Sequence, residues 1–369
     1  MVDLPDLPDV RARDHDGLAK SFRHFGEIET PRLNCDTYTA ISLGIAEDEA
    51  LLAMAGQIDP AQPAPNVFYA AVQDLLLEDA RRSSAAIALA RFYPAVSGEP
   101  IPDESPWPAF RTFCLEQAEA LAPKLRTGRT QTCVVHRCAI VLPALASLPR
   151  VARANGRVGL LEIGPSAGLN LRLDRYRYEY VDENGSRVEW GEVEAKPVLR
   201  CQARGGVLPP MPEGLDVVAR RGLDLHAIDL EDPLALRWLR ALIWPEHVER
   251  ARVMDEALAH AATVPVEIEE GDATRDIADQ IAKLPLEAPR VLFATHVIYQ
   301  IPREGLLAML EGIARASNEA PVDLLIMDST GKGDSRVDHF AFEDGQRRSR
   351  SVLALCDSHG RWIEWGRSV

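Results

Sequence analysis

The sequence predicts an α/β protein in which an all-helical region, residues 1–150, precedes a parallel sheet flanked by helices, residues 151–369. Three observations indicate this class. Apolar residues recur at helical spacing before residue 150, short apolar runs alternate with helical stretches after it, and a glycine-containing turn follows the first of those runs. A chain of 369 residues, 46% of them hydrophobic, is long enough to bury the cores of two domains.

Four segments of the first 150 residues repeat their apolar residues every three or four positions, which predicts amphipathic helices. Proline-rich connectors separate these segments, and no stretch shows the alternation of a half-buried strand. The predicted helices cover residues 38–55, 67–78, 110–125 and 134–148. We therefore expect a helical cap domain at residues 1–150.

Strand-like and helix-like segments alternate after residue 150, and this order predicts a parallel sheet with helices on both faces. The expected strands are 158–163, 217–220 or 223–230, 266–269, 291–295 and 322–327, and the expected helices are 233–262, 277–284 and 302–316. Asn184-Gly185 suits a tight turn, so residues 176–190 are predicted to form an inserted β-hairpin. Residues 351–356 and 362–365 predict an antiparallel hairpin at the C-terminus.

Composition narrows the classes of partner. A net charge of −15 argues against general nucleic-acid binding, which normally uses a basic surface. No apolar stretch approaches the roughly 20 residues that span a bilayer, and the acidic, proline-containing N-terminus does not resemble a signal peptide. The six cysteines are scattered without the paired spacing of a zinc site, which is typical of reduced thiols in a cytoplasmic protein. We expect neither a nucleic-acid nor a membrane partner, and no metal.

The glycine-containing turn at Gly164-Pro165-Ser166-Ala167-Gly168 is the most informative motif. It follows an apolar run and precedes a helix-like stretch, and two chemistries use such a turn. In the first, missing side chains let the backbone approach a nucleotide-type ligand at the start of a helix. In the second, Gly-x-Ser-x-Gly is the nucleophile elbow of α/β-hydrolases.

The hydrolase interpretation requires an acid and then a histidine downstream of Ser166. Asp328 with His339 or His359 supplies that order. However, the elbow normally follows the fifth strand of its sheet, whereas this turn follows the first predicted strand. Pro165 also fixes φ beside the proposed nucleophile. The sequence therefore favours the ligand-binding loop.

Several stretches resemble a bacterial family called domain of unknown function 2332, and the resemblance covers most of the chain. They are Leu161-Glu162-Ile163-Gly164-x-Ser166-Ala167-Gly168-Leu169-Asn170-Leu171, Arg129-Thr130-Gln131-Thr132, Asp174-Arg175-Tyr176-Arg177-Tyr178 and Trp244-Pro245-Glu246-x-x-x-Arg250. After Thr132 this chain has Cys133-Val134 where the family usually has Asn-Glu. The order of elements is also similar to that of class I methyltransferases. The resemblance implies a Rossmann-like methyltransferase fold and, with it, S-adenosylmethionine as cofactor.

The class I resemblance assigns cofactor contacts to the glycine turn. An acidic residue two positions before a glycine ends the first strand in these enzymes, and Glu162 and Gly164 stand at those places. The resemblance implies that Glu162 organises the loop or the methionine moiety, while Gly164 and Gly168 admit the cofactor. Ser166 replaces the usual middle glycine, and Asn170 lies where the turn leads into the next segment.

Carboxylates after the later strands are expected to hold the nucleoside, because vicinal ribose hydroxyls suit a bidentate acceptor. The usual gap of about 20 residues points to Asp182, but an inserted hairpin would make Asp224 or Asp229 the better candidate. The class I resemblance implies that Asp272, which Ala273 follows, contacts the adenine amino group. A carboxylate at a strand end also serves as a helix N-cap, and this alternative stays open.

The methyl acceptor is expected beyond the strand at 291–295. His296 is the candidate general base and Tyr299 the residue that orients it. Alternatively, His296 caps the strand and Tyr299 packs under the helical cap. No Asp/Asn-Pro-Pro-Tyr segment is present, so a small-molecule acceptor is favoured over a nucleobase or a glutamine amide.

The sequence thus predicts a methyltransferase that uses S-adenosylmethionine on a small-molecule substrate. Two other classes stay open: a methyltransferase-like protein that binds a ligand without catalysis, and a serine hydrolase using Ser166. A metal site around His136 and Arg137, between Cys133 and Cys138, is a weaker hypothesis.

Overall fold

A computed structural model describes residues 14–366, which divide into two compact units. The helical unit contains the described residues up to Thr132 together with Asp229–Arg252. The sheet unit contains Cys133–Ile228 and the described residues from Val253 onward. This division differs from the expected boundary at residue 150, because the helix of residues 138–146 packs on the sheet: its Ile140 and Val141 line one apolar void with Phe293 of a strand.

The helices, numbered in chain order, have the following bounds. They are α1 His15–His24, α2 Thr30–Arg32, α3 Asp36–Ile45, α4 Glu49–Ala55, α5 Ala64–Glu78, α6 Ser84–Ala90, α7 Pro94–Ser97, α8 Trp107–Glu116, α9 Ala118–Thr127, α10 Cys138–Ala146, α11 Pro149–Arg153, α12 Pro233–Ala241, α13 Val248–Leu258, α14 Ala273–Ala282 and α15 Arg303–Ala316. Two of the long helices expected in the first 150 residues are each two helices. Asp48, for example, starts α4 by accepting a hydrogen bond from the Leu51 N–H at 3.0 Å.

Helix α5 is the centre of the helical unit, because it is buried on nearly all sides. Tyr69 of α5 stacks on Tyr38 of α3 with ring centroids 4.1 Å apart. Its Asp74 is also buried, and the guanidinium of Arg237 on α12 donates to that carboxylate at 2.8 Å. This pair explains why residues after 228 return to the helical unit.

The Trp244-Pro245-Glu246 motif attaches the same returning segment to the start of α3. The carboxylate of Glu246 accepts hydrogen bonds from the Thr37 N–H and from the Cys35 thiol, each at 2.7 Å. The Trp244 ring lies 5.3 Å from the ring of Phe25. The motif therefore has a structural role in the helical unit.

The sheet unit is built on one sheet of eleven strands. The strands are β1 Arg157–Ile163, β2 Arg177–Val181, β3 Arg187–Trp190, β4 Val198–Ala203, β5 Asp216–Asp224, β6 Glu267–Glu270, β7 Arg290–Thr295, β8 Val322–Ser329, β9 Ser335–Glu343, β10 Gln346–Cys356 and β11 Trp362–Trp365. Their order across the sheet is β3-β2-β4-β11-β10-β9-β8-β7-β1-β5-β6. Strands β6, β5, β1, β7 and β8 are mutually parallel, whereas β8, β9, β10 and β11 pair antiparallel.

The mixed α/β class and the antiparallel C-terminal region are confirmed. The hairpin at 176–190 is also present as β2 and β3, but it pairs in parallel with β4 and forms one edge of the main sheet. Strands β4 and β9 and the first half of β10 were not expected from the sequence. Residues 346–351 of β10 are exposed and polar, so they lack the apolar alternation by which a half-buried strand is recognised.

The chain after the glycine turn does not form the expected helix. Asn170–Arg175 is a short 3-10 segment interrupted at Arg172, whose φ and ψ are −102° and 17°. In a regular helix the backbone N–H groups would donate hydrogen bonds to these carbonyls, whereas here side chains donate to several of them. The Tyr176 hydroxyl donates to the Leu169 carbonyl at 2.6 Å, and Arg172 Nη1 donates to the Gly168 carbonyl at 3.0 Å.

Two further side chains continue this set of donors. The Tyr178 hydroxyl donates to the Leu173 carbonyl at 2.5 Å, and Arg220 Nη1 on β5 donates to the Leu171 carbonyl at 2.7 Å. Arg220 also forms a two-pronged ion pair with Asp174, with both bonds at 2.6 Å and both side chains buried. Tyr176 and Tyr178 of the arginine–tyrosine run, together with Arg172 and Arg220, therefore hold the segment that follows β1 in place.

We predict that Asp174→Asn lowers the free energy of unfolding by about 3–5 kcal/mol, because it leaves the buried Arg220 cation unpaired. Urea unfolding followed by tryptophan fluorescence measures the change. Asp216→Asn is the control, since the Asp216–Arg157 pair on the same sheet is exposed and 3.6 Å long. Equal midpoints for the two variants would contradict the prediction.

Candidate functional site

The carboxyl ends of the five parallel strands meet at one edge of the sheet, here called the carboxyl edge. It is formed by Gly164–Gly168 after β1, Asp224 at the end of β5, Gly271 and Asp272 after β6, His296–Tyr299 after β7, and Asp328 near the end of β8. Backbone hydrogen bonds continue beyond the strands: the Gly164 N–H donates to the Leu223 carbonyl at 2.9 Å. Ligands of open α/β sheets bind at such an edge.

Three residues of the glycine turn adopt left-handed backbone conformations. The φ values of Gly164, Ser166 and Gly168 are 70°, 55° and 65°. A Cβ at Gly164 would lie 2.8 Å from Val297 Cγ2, and one at Gly168 would lie 2.8 Å from Ile268 Cδ1. Both glycines are therefore required by the turn and by its packing against other side chains of the sheet unit. Ser166 occupies a conformation that favours glycine.

Asp224 braces the glycine turn. Its Oδ2 accepts a hydrogen bond from the Ser166 N–H at 2.8 Å, and its Oδ1 accepts one from the His226 N–H at 3.0 Å. The other two candidates for a ribose carboxylate lie elsewhere. Asp182 accepts backbone hydrogen bonds within the β2–β3 turn, and exposed Asp229 accepts one from the Glu231 N–H in the helical unit. Of the three, only Asp224 lies at the carboxyl edge.

Asp272 lies at the same edge and is the N-cap of α14. Its Oδ1 accepts hydrogen bonds from the N–H and the hydroxyl of Thr274, at 2.9 and 2.7 Å, and these bonds lower the pKa of the carboxyl. Ala273, the first residue of α14, is buried. Asp272 thus serves as a helix N-cap, which is the structural alternative that the sequence left open. Its carboxylate also remains partly exposed.

Glu162 is a buried carboxyl directly before the glycine turn, with 1% of its surface exposed. Its Oε1 accepts a hydrogen bond from Asn170 Nδ2 at 3.0 Å, whereas Oε2 has no hydrogen-bond partner. Burial raises the pKa of Glu162 to about 8, against the opposing effect of the Asn170 bond, and nearby Asp224 raises it further. Glu162 therefore carries a proton at neutral pH, and a polar atom of it is left unsatisfied.

His296 also has a left-handed backbone, with a φ of 56°. Its Nε2 lies 2.9 Å from the Ser335 hydroxyl, and its Nδ1 lies 3.8 Å from the Asp328 carboxylate. Burial, together with the positive charge of Arg137, lowers the pKa of His296 to about 3. The ring is therefore neutral at physiological pH and, in this state of the protein, a weaker base than the sequence suggested.

Tyr299 and Asp328 complete this side of the edge. The Tyr299 side chain is exposed, and its backbone N–H donates to Asp328 Oδ2 at 3.0 Å. Burial raises the pKa of Asp328 above its ordinary value, although several backbone hydrogen bonds oppose the shift. The structure thus brings His296, Tyr299 and Asp328 together beside Gly164.

Arg137 and Cys133 belong to the same region, but the sequence did not assign them to this site. The guanidinium of Arg137 is half-buried between the ends of β7 and β10, and burial lowers its pKa. Burial raises the pKa of the Cys133 thiol to about 12, and the nearby Glu162 adds to the rise. Both residues precede α10, so only the packing of that helix on the sheet places them beside Glu162.

The histidines of the hydrolase hypothesis lie at different places in the sheet. His339 on β9 lies with its Nε2 2.8 Å from Asp323 Oδ1, and that carboxylate also accepts from Arg150. The backbone N–H of His359 donates to Asp357 in the turn between β10 and β11. Ser166 itself is 4% exposed.

Comparison with known families decides the membership of the chain. Residues 19–365 match the family described as "Uncharacterized protein conserved in bacteria (DUF2332)". The chain belongs to this family. Comparisons with curated proteins and with solved structures gave no match. Within residues 14–366, no helix is long and apolar enough to cross a membrane.

We predict that Glu162→Gln removes a pH-dependent loss of stability. Because the folded pKa of Glu162, about 8, lies above its unfolded value of 4.5, its protonated form stabilises the fold fully below pH 4.5, and this contribution is lost as the pH rises through 8. The free energy of unfolding of Glu162→Gln minus that of the wild type should therefore grow across this window. Urea titrations at a series of pH values measure it.

Glu269→Gln is the matched control, because hydrogen bonds from Lys283 and Gln280 lower the pKa of this exposed carboxyl to about 2. Its contribution is present above pH 4.5 and is lost as the pH falls through 2, so this variant should be the less stable protein at neutral pH. A difference between Glu162→Gln and the wild type that does not vary with pH would contradict the prediction.

Proposed function

We propose that the chain is an S-adenosylmethionine-dependent methyltransferase that acts on a small-molecule acceptor. One observation carries the proposal. The glycine turn follows β1, the middle one of the five parallel strands, and the next two strands across the sheet are each associated with a carboxylate: Asp224 at the end of β5 and Asp272 shortly after β6. A nucleoside offers ribose hydroxyls and an exocyclic amino group as donors to such acceptors. The net charge of −15 supports a small-molecule acceptor over nucleic acid.

The donor and acceptor set fits this cofactor at its amino-acid end as well. Glu162 Oε2 is buried without a partner, and an unsatisfied carboxyl oxygen beside the turn suits a hydrogen bond from the amino group of the methionine moiety. Asp224 and Asp272 would hold the ribose and the adenine amino group. The short 3-10 segment after the turn is a departure, so the backbone dipole of a long helix does not contribute here.

The bound cofactor would supply an electrophilic methyl group. The residues of the chain would position the acceptor and manage its proton: His296 lies between Ser335 and Asp328, with its ring neutral. Because this ring binds a proton only weakly, it suits an acceptor that has already lost its proton before the reaction. Exposed Tyr299 lies where the acceptor would enter.

The two alternatives have less support. A serine hydrolase needs an accessible nucleophile, and Ser166 is buried while its N–H bonds to Asp224. A methyltransferase-like protein without catalysis would use the same cofactor contacts and differ only in turnover. The three classes therefore make different predictions for binding and labelling.

We predict that S-adenosylhomocysteine binds the wild type with micromolar affinity and that Asp224→Asn weakens binding by about tenfold or more, because a charged acceptor of the ribose hydroxyls is lost. Isothermal titration calorimetry measures both. Asp229→Asn is the control, since this exposed carboxylate lies in the helical unit and should leave affinity unchanged.

Two results would go against the proposal. Absence of binding at high micromolar concentration would contradict it, and labelling of Ser166 by a fluorophosphonate, absent in Ser166→Ala, would favour the hydrolase. Binding without turnover on any acceptor would favour the non-catalytic alternative.

A further inference from the structure

Arg137 is held in a fixed orientation at the carboxyl edge. It ends the 3-10 segment Val135–Arg137 before α10. Its Nε donates to the Ser358 carbonyl at 3.0 Å, and its Nη1 donates to the Thr295 carbonyl at 3.1 Å. The guanidinium thus joins the end of β7 to the turn after β10. A guanidinium carries more N–H donors than these two bonds use, and Nη2 has no partner among residues 14–366.

The absence of a carboxylate partner within the described chain distinguishes Arg137 from other arginines of the protein. Arg150, Arg220 and Arg237 each form an ion pair with an aspartate that is itself buried. Arg137 forms none with residues 14–366, although it is half-buried. A buried cation is costly without a compensating anion. An anion on a bound molecule would compensate this charge.

The titratable groups around Arg137 give it no direct ion pair within residues 14–366. Glu162 has a pKa of about 8 and is protonated at neutral pH, whereas His296 has a pKa of about 3 and is neutral. Arginine keeps its proton in proteins. Asp328 and Asp357 lie in the same region, but neither is paired with the guanidinium, and Asp357 is paired with Arg361.

We propose that Arg137 binds a carboxylate group of the ligand at the carboxyl edge. The planar, fixed guanidinium suits a carboxylate oxygen, and one unused nitrogen, Nη2, suits a single such group. A phosphate dianion is less suitable, because the neighbouring Asp328 and Asp357 carboxylates would repel its second charge. The carboxylate has two sources: the amino-acid end of the cofactor, which rests on the proposed function, or the acceptor substrate, which does not.

Calorimetry with two nucleosides distinguishes the sources. S-adenosylhomocysteine carries an amino-acid carboxylate, and 5′-methylthioadenosine shares its nucleoside and thioether without that group. If the cofactor supplies the carboxylate, Arg137→Gln weakens S-adenosylhomocysteine by about 10- to 100-fold and leaves 5′-methylthioadenosine unchanged, while Arg137→Lys restores part of the affinity. Exposed Arg187→Gln is the control and should change neither.

A second measurement does not depend on nucleoside binding. Because the charge of Arg137 lowers the pKa of His296, Arg137→Gln should raise that pKa, which NMR titration of the imidazole reports. A carboxylate bound to Arg137 should raise the same pKa in the wild type and not in Arg137→Gln. Succinate, benzoate and glutamate are the probes for an acceptor carboxylate.

The outcomes separate the two proposals. If neither nucleoside binds the wild type, the proposed function fails, but a shift of the His296 pKa with any of the three carboxylates still supports Arg137 as the anion site. If Arg137→Gln weakens both nucleosides equally and no carboxylate shifts the His296 pKa, the role of Arg137 is structural and the inference is overturned.

Discussion

The sheet unit depends on how the chain leaves β1. Without a regular helix after the glycine turn, the carbonyls of Gly168, Leu169, Leu171 and Leu173 accept hydrogen bonds from side chains, and a buried carbonyl left unpaired would be costly. Tyr176, Tyr178, Arg172 and Arg220 supply those donors from β2, β5 and the segment itself. The turn is therefore fixed before any ligand binds, and Asp224 closes it from the other side. These bonds are what allow a short, irregular segment to hold the carboxyl edge in a defined conformation.

The carboxyl edge combines titratable groups that burial keeps neutral with one cation, Arg137. Burial favours the neutral forms of Glu162 and His296, because it penalises whichever form carries charge. It therefore raises the pKa of Glu162 and lowers the pKa of His296. Arg137 cannot respond in this way, because its guanidinium keeps its proton, and it remains the fixed charge beside them. The pKa of His296 is thus tied to the state of Arg137. Occupation of the edge by an anion would change the proton affinity of the site as well as fill it.

Each of the two units contains a buried ion pair that joins distant parts of its chain. In each, a buried aspartate accepts from an arginine distant in sequence: Asp74 from Arg237 in the helical unit and Asp174 from Arg220 in the sheet unit. The first brings residues 229–252 back to α5, and the second locks the segment after β1 to β5. Two of the stretches that carry the family likeness, the arginine–tyrosine run at residues 174–178 and Trp244-Pro245-Glu246, serve this packing.

The sequence by itself determined the class, the buried strands, the two hairpins and the candidate residues at the strand ends, because apolar period and turn chemistry are local properties. It did not reveal β4, β9 or the unit boundary at residue 132, which depend on pairing between distant segments. Only the tertiary structure showed that, of Asp182, Asp224 and Asp229, it is Asp224 that lies at the carboxyl edge, and that Arg137 lies there as well. Strand register and the packing of α10 bring these groups to one edge. Burial at that edge then sets their charge, and no local sequence pattern encodes burial.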